Sequence, residues 1–105
     1  MAPIITTSET IPGKKVSKIL GVVRGNTVRA KNIGRDIAAG LKNLVGGEIK
    51  SYTDLLTKAR DEAYNRMVNE AIDLKADAVI NVRFMTSMVM QGSAEILCYG
   101  TAVKL

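Results

Sequence analysis

The C-terminal stretch AVINVRFMTSMVM (residues 78–90), QGS (91–93) and AEILCYGTAVKL (94–105) decides the fold class. Apolar side chains recur there at every second position, which is the period of a β-strand. The tripeptide QGS predicts a turn, so the two runs form a long β-hairpin. Strict alternation places one set of side chains on a single face of the first strand: Ile80, Val82, Phe84, Thr86, Met88 and Met90.

A long helix is predicted immediately before this hairpin. Ser51 is followed three residues later by Asp54, a pattern close to a capping box, so the helix is expected to begin at Ser51. Acid-before-base pairs four residues apart, such as Glu62–Arg66, mark its solvated face. Apolar residues recur at helical spacing on the opposite face: Tyr52, Leu55, Leu56, Ala59, Ala63, Met67, Ala71 and Leu74.

The first half of the chain predicts two strands and a shorter helix. Residues 4–7 and 16–23 indicate strands, separated by a turn at Pro12-Gly13. Residues 24–27 (RGNT) are interpreted as a second turn. A first helix is expected over residues 32–45, capped by Asn32 and ended by two glycines.

The predicted order is therefore ββααββ in a single α+β domain covering residues 1–105. The sheet is expected to be mostly antiparallel, with both helices packed on one face. In a chain this short, 47% hydrophobic residues are more than one small core needs. Several strands are apolar on both faces, which favours burial between subunits of a homo-oligomer.

Composition also narrows the possible partners and location. The net charge of +5 permits anionic partners, but no aromatic residue lies within the densest basic stretch, residues 24–42, which argues against single-strand nucleic-acid binding. Neither a secretory signal nor a bilayer-spanning apolar run is recognised, and one cysteine precludes an intrachain disulfide. We expect a cytoplasmic protein with no membrane partner.

A set of short motifs along the whole chain resembles the YbjQ family. They are ITTS (5–8), PGK (12–14), VGGE (45–48), ARDEA (59–63), ADAVINVR (76–83) and GTAV (100–103), together with Tyr52 and Met67. The resemblance implies an α+β subunit that assembles into a ring, in particular a pentamer. The family is often labelled heavy-metal-binding although its function is uncharacterised. Lys75 stands where the family usually has glycine, so we expect this helix to end differently.

Candidate metal ligands are few. Histidine is absent, and Cys98 is the single cysteine, whereas zinc and copper sites usually take three or four nitrogen or sulfur ligands. A ring could gather several Cys98 thiols at its axis, and Met85, Met88 and Met90 could offer thioethers to Cu(I). The simpler interpretation is that Cys98 and the methionines fill the core.

Other polar residues suggest binding rather than catalysis. Thr6 and Thr7 follow a strand, and without histidine they lack the base of the common nucleophilic triads, so they are interpreted as strand-end hydroxyls. Arg60, flanked by alanines, is a candidate clamp on a carboxylate of a neighbouring subunit or, as the lesser alternative, of a ligand. Gly46 and Gly47, with Ser51 and Tyr52, are candidates for an anion or interface site at the start of the second helix, although a helix–helix turn is the simpler interpretation of the glycines.

The leading functional hypothesis is a non-enzymatic homo-oligomeric scaffold or small-ligand-binding protein with no required cofactor. One alternative is a heavy-metal-binding protein that uses ligands from several subunits. A second alternative is weak nucleic-acid binding, which rests on the positive charge alone.

Overall fold

A computed structural model describes residues 2–29, 48–90 and 93–105. These residues form five elements: β1 (Ile4–Ile5), β2 (Lys18–Arg29), α1 (Glu48–Asp73), β3 (Ala78–Met90) and β4 (Ser93–Lys104). The four strands form one sheet in the order β1-β3-β4-β2. β1 pairs in parallel with β3, while the other two pairings are antiparallel.

The α+β class is confirmed, and the sheet is mixed because β1 is parallel to its neighbour. The described residues contain one helix, α1, where two helices were predicted. The first predicted helix, with Gly46 and Gly47, lies outside the described residues. α1 packs against β2 and β4, so the described helix covers one face of half the sheet.

Residues 24–27 are part of β2, so their interpretation as a turn was wrong. They pair continuously with β4, with Gly25 opposite Cys98. Gly25 lies beneath the helix, and a Cβ atom there would collide with the carbonyl oxygen of Ala63 and the amide nitrogen of Met67. The glycine therefore allows a close approach of helix and strand rather than a reversal of the chain.

The predicted apolar face of the helix is largely confirmed. Ala59, Ala63, Met67 and Ala71 are all buried against the sheet, whereas Leu74 at the end of the pattern is exposed. The predicted start was wrong, because α1 begins at Glu48 and residue 51 therefore lies inside its first turn. The terminal amides of a helix can also be satisfied by water or ligands, so a helix can start without a side-chain cap.

The end of α1 retains the geometry that glycine would give. Lys75 has a φ of 61°, in the left-handed region. Its amide donates to the carbonyl of Ile72 at 2.9 Å, and the amide of Ala76 donates to the carbonyl of Ala71 at 3.0 Å. These two bonds define a Schellman motif. The expectation that Lys75 changes the helix end was wrong, because the closing bonds hold the lysine in the same conformation.

The alternation predicted for β3 is interrupted at Asn81. This residue has a φ of 55°, and the register with β4 shifts between Ile80 and Arg83. Ile80 therefore packs on the face opposite to α1, whereas Val82 packs beneath α1. The prediction that Ile80 and Val82 share a face was wrong because the bulge adds one residue to the strand.

The core is divided by the sheet into two clusters. The larger lies beneath α1 and contains Val23, Met67, Val79 and Cys98 among its fully buried side chains. The smaller lies on the opposite face: Ala78, Ile80 and Val103, covered by Ile11, Val16 and Leu105. The predicted Pro12-Gly13 turn, in which Lys14 donates to the carbonyl of Ile11 at 3.0 Å, shapes the segment that covers it.

Candidate functional site

The outer edge of β3 is occupied over only part of its length. The segment around β1 pairs with it up to Val82, whose amide donates to the carbonyl of Thr6 at 3.1 Å. Beyond Arg83, no other described strand lies along this edge. Residues 84–90 of β3, here called the open segment, therefore have one edge without a strand partner among the described residues.

Apolar side chains of the open segment are uncovered as well. Phe84 is 51% exposed, Met85 57% and Met88 78%. The segment, FMTSMVM, contains no charged residue, proline or glycine. Phe84 shares the register position of Cys98, which α1 buries, but α1 packs on β2 and β4 rather than over this part of β3. The open segment is thus apolar, extended and uncovered by the described residues.

The opposite edge of the sheet is open too. β2 is the last strand in the sheet order, and no described strand lies beyond it. Ile19 is 68% exposed and Val22 67%. In contrast to the open segment, β2 carries three basic residues, Lys18, Arg24 and Arg29. The two open edges therefore differ in charge.

The hydroxyl cluster that contains Thr6 and Thr7 closes the occupied part of the β3 edge. The hydroxyls of Thr6 and Ser8 lie 2.8 Å apart, and the Ser8 hydroxyl donates to the carbonyl of Thr10 at 2.8 Å. Arg83 donates from one guanidinium nitrogen to the carbonyls of Thr7 and Val82, at 3.0 and 2.9 Å. These bonds hold the end of β1 against β3, and they support the interpretation of the threonines as strand-end residues.

Arg60 lies exposed on α1 next to the buried Ala59. The helix turns by about 100° per residue, so a residue adjacent to one that faces the sheet points to the side of the helix. This position leaves the guanidinium accessible in the single chain. A carboxylate partner from a neighbouring subunit remains a prediction.

The remaining anion-site candidates are only partly described. Residues 51 and 52 lie near the start of α1, but the placement of their side chains is not described. Gly46 and Gly47 lie outside the described residues. The predicted site at the helix start therefore stays a prediction.

Cys98 is a core residue. Its side chain is fully buried beneath α1, and its Sγ lies 3.5 Å from the Sδ of Met67. Burial raises the pKa of the Cys98 thiol, which favours the neutral form over the thiolate that binds metals. The described residues contain no group of three or more histidine, cysteine, aspartate or glutamate side chains arranged to hold a metal ion. The described part of one chain does not fit a heavy-metal site.

A polar contact that sequence reasoning missed joins Asp77 to the C-terminal residues. Its carboxylate accepts the amide of Leu105 at 2.9 Å and the ammonium group of Lys104 at 3.2 Å. The Leu105 amide and then the Lys104 side chain lower the pKa of Asp77 below its ordinary value. Asp77 also borders an open cleft of about 370 Å³ with Ala2, Ile4, Lys14, Ala76 and Leu105. No local spacing could predict this contact, because 27 residues separate Asp77 from Lys104.

No described helix is both long enough and apolar enough to cross a bilayer. This finding concerns the described residues alone.

Comparison with known proteins identifies relatives over nearly the whole chain. The YbjQ family model, described as "Putative heavy-metal-binding", matches residues 3–105. A UPF0145 protein of Methanoculleus marisnigri is 67% identical over 102 residues, which are 97% of this chain and 95% of the relative. A UPF0145 protein of Archaeoglobus fulgidus is 66% identical over 97% of this chain and 94% of its own length.

A solved structure supports the fold. The crystal structure of a protein of unknown function from Pediococcus pentosaceus, assigned to the DUF74 family, superposes with a TM-score of 0.62. The alignment covers 98% of this chain and 97% of that one at 20% identity, so this likeness concerns the fold alone. The family model and the UPF0145 relatives, matched over almost the full length, establish that this chain belongs to the YbjQ family.

Proposed function

We propose that this chain is the subunit of a closed homo-oligomer that serves as a non-enzymatic scaffold or small-ligand-binding protein in the cytoplasm. The number of subunits is five, as the family resemblance implies. The open segment of β3 carries the proposal. It is a long, uncharged strand edge with exposed apolar side chains on both faces of the sheet.

Free strand edges are a hazard that monomeric proteins limit with lysine, proline, bulges or short strands. The open segment has seven consecutive residues without a charge or a proline. Such segments pair readily with other chains when they stay exposed. A second copy of the subunit that covers the segment removes the hazard and buries Phe84, Met85 and Met88.

Clustering supports the same proposal. Single exposed apolar side chains are common on protein surfaces, whereas contiguous apolar patches indicate interaction sites. Phe84, Met85 and Met88 lie within five positions of one strand. A strand edge with exposed apolar side chains on both faces of the sheet suits association better than it suits a catalytic pocket.

The non-enzymatic part of the proposal rests on the available side chains. The sequence contains no histidine, which removes the usual general base of serine and cysteine nucleophiles. The single cysteine is buried and its thiol pKa is raised. A cysteine in that environment is a poor nucleophile.

Native mass spectrometry of the purified protein tests the proposal directly, because it reports subunit number and any co-purified ligand together. We expect one dominant species of five subunits at micromolar concentration, with light scattering giving the same mass. A monomer under both conditions would contradict the oligomer. Arg60→Ala is expected to weaken the assembly, and an unchanged mass would remove Arg60 from the subunit interface.

The metal-binding alternative takes its support from the family description. Equilibrium dialysis with Cu(I), Cd(II) and Zn(II) tests it, with Cys98→Ser as the comparison variant. We expect less than one metal ion per subunit and no difference between the two proteins. Stoichiometric binding that Cys98→Ser abolishes would establish the metal function instead.

A further inference from the structure

We propose that the sheet face opposite to α1 binds single-stranded nucleic acid, with one base stacked on Tyr99 and the adjoining phosphates held by Arg24 and Arg83. These three residues are called here the arginine–tyrosine row. The inference goes beyond the proposed homo-oligomer and does not depend on it, because all three side chains belong to one chain.

The strand register places the members of the row side by side across the sheet. Tyr99 of β4 is the partner of Arg24 on β2 and of Arg83 on β3. Successive side chains of a strand point to opposite faces. Each member of the row follows a residue that is buried in the cluster beneath α1: Val23, Val82 and Cys98. The row therefore lies on the face of the sheet that α1 does not cover.

The row is accessible in the described part of the chain. Arg24 and Arg83 are exposed, and Tyr99 is 36% exposed. On the same face, the segment with Ile11 and Val16 covers only the smaller core cluster, which lies toward the start of β3. A flat ligand can therefore approach the ring of Tyr99 and both guanidinium groups from the same side.

The row carries two positive charges that no described acid neutralises. Among the described residues, neither Arg24 nor Arg83 forms an ion pair. Arg83 donates from one nitrogen to two backbone carbonyls, which hold the guanidinium in place but leave its charge. The acid of β4 on this face, Glu95, accepts a hydrogen bond from Asn26 at 3.2 Å instead. The row is therefore complementary in charge to an anion.

An aromatic ring between two cations fits a nucleic-acid single strand. Proteins bind such strands by stacking bases on aromatic side chains while basic side chains contact the phosphates. An internal nucleotide has a phosphate on each side of its sugar, as the row has an arginine on each side of its ring. Neighbouring strands lie about 4.8 Å apart, so the backbones of Arg24 and Arg83 are about 10 Å apart, and their long side chains can reach the phosphates that flank one base.

The tertiary structure removes the argument against this partner. The sequence argued against single-strand binding because no aromatic residue lies within the densest basic stretch, residues 24–42. The pairing of β2 with β4 supplies the missing ring, because it places Tyr99 beside Arg24. The basic and aromatic groups come from opposite ends of the chain, so no local pattern could show their combination.

Fluorescence anisotropy with a fluorescein-labelled oligothymidylate tests the phosphate contacts on the full chain. Each contact with a single strand contributes about −0.7 to the slope of log affinity against log salt concentration, so the two arginines predict a slope of about −1.4. Arg24→Gln should reduce the slope to about −0.7 and raise the Kd about fivefold at roughly 0.1 M salt. Lys58→Gln is the matched control, because it removes the same charge from an exposed position on α1, and it should change neither value.

Substitutions of Tyr99 test the stacking. Tyr99→Leu should raise the Kd about tenfold, because it removes the ring on which the base stacks. Tyr99→Phe keeps an aromatic ring and should bind within about twofold of the wild-type protein. If circular dichroism shows that Tyr99→Leu is unfolded, Tyr99→Met replaces it with the same expected loss, and the salt slope of Arg24→Gln remains decisive.

Four results would overturn the inference. The first is an absence of binding at low salt. The second is equal affinity for a duplex of the same length, which would indicate a general attraction of charges. The third is equal affinity for thymidine monophosphate as a competitor, which would make the ligand a mononucleotide. The fourth is an equal loss in Arg24→Gln and Lys58→Gln. None of these results bears on the homo-oligomer, which native mass spectrometry measures separately.

Discussion

The two halves of β3 have similar hydrophobicity but different surroundings. In the first half, Ala78 and Val79 are fully buried between β1 and β4, with a core cluster on each face. In the second half, Phe84, Met85 and Met88 are exposed. Neighbouring elements rather than hydrophobicity therefore decide which half of β3 is buried within the described residues.

The largest expected effect compares a buried with an exposed methionine. Met67→Ala removes a fully buried side chain from the cluster beneath α1 and should lower the free energy of unfolding by about 3 kcal/mol. Met88→Ala removes an exposed side chain of the open segment and should change the stability of the subunit by less than about 0.5 kcal/mol. Urea unfolding measures both values.

Protein concentration sharpens this comparison. The Met67→Ala effect should be the same at every concentration, because the cavity lies within the subunit. If, as we propose, a second subunit covers Met88, the effect of Met88→Ala should grow with protein concentration. A concentration-independent loss of about 3 kcal/mol for Met88→Ala would show that the subunit itself buries the second half of β3.

Gly25→Ala should have the next largest effect. The added Cβ would collide with backbone atoms of Ala63 and Met67, which cannot rotate away as a side chain can. We expect a loss of about 2 kcal/mol as α1 moves away from the sheet. Val22→Ala, an exposed position on the same strand, is the control and should cost far less. Equal losses in the two variants would contradict the close approach of helix and sheet.

Lys75→Gly should stabilise the protein at the turn that joins α1 to the buried half of β3. Lysine at φ 61° carries a backbone strain that glycine avoids, so the free energy of unfolding should rise by up to about 1 kcal/mol. Asp73→Gly, within the last turn of α1, should instead lower it by about 1 kcal/mol. If thermal unfolding shows both variants to be destabilised, the left-handed helix end is wrong.

The smallest expected effect is the pH dependence of stability that Asp77, just before β3, contributes. The folded-state pKa of Asp77 is lowered by the Leu105 amide and Lys104, so its ionised form stabilises the fold. This stabilisation is complete above the unfolded-state pKa and is lost as the pH falls through the folded-state pKa. Asp77→Asn should therefore reduce the acid sensitivity of unfolding. Asp61→Asn, on the exposed surface of α1, serves as the control.

Elements with a regular period were predictable from the sequence. The hairpin strands were placed within one residue of their observed ends, and Ala63, Met67 and Ala71 lie on the predicted buried face of α1. The period of two predicted for residues 94–105 is also observed in β4, where Cys98 lies beneath α1 and Val103 lies on the other face of the sheet. Periodicity succeeds here because each position alternates toward or away from one packing surface.

Predictions of local structure failed at residues whose conformation depends on contacts with parts of the chain far away in sequence. Gly25 was interpreted as part of a turn because glycine beside asparagine usually marks one, whereas it admits the helix backbone. Asn81 forms a bulge that no local pattern announces, and it shifts the face of Ile80. The candidate site also mixes success and failure. Cys98 was correctly interpreted as a core residue, but the sequence analysis did not identify residues 84–90 as an uncovered strand edge.

The sequence by itself determined the α+β class, the hairpin, the apolar face of α1 and the lack of a histidine-based site, because these follow from residue type and local spacing. Only the tertiary structure decided which apolar residues are uncovered. β1 ends after two residues and α1 lies over β2 and β4, so residues 84–90 have neither an edge partner nor a covering helix among the described residues. Strand pairing and helix placement depend on contacts between residues far apart in the chain, which no local pattern records.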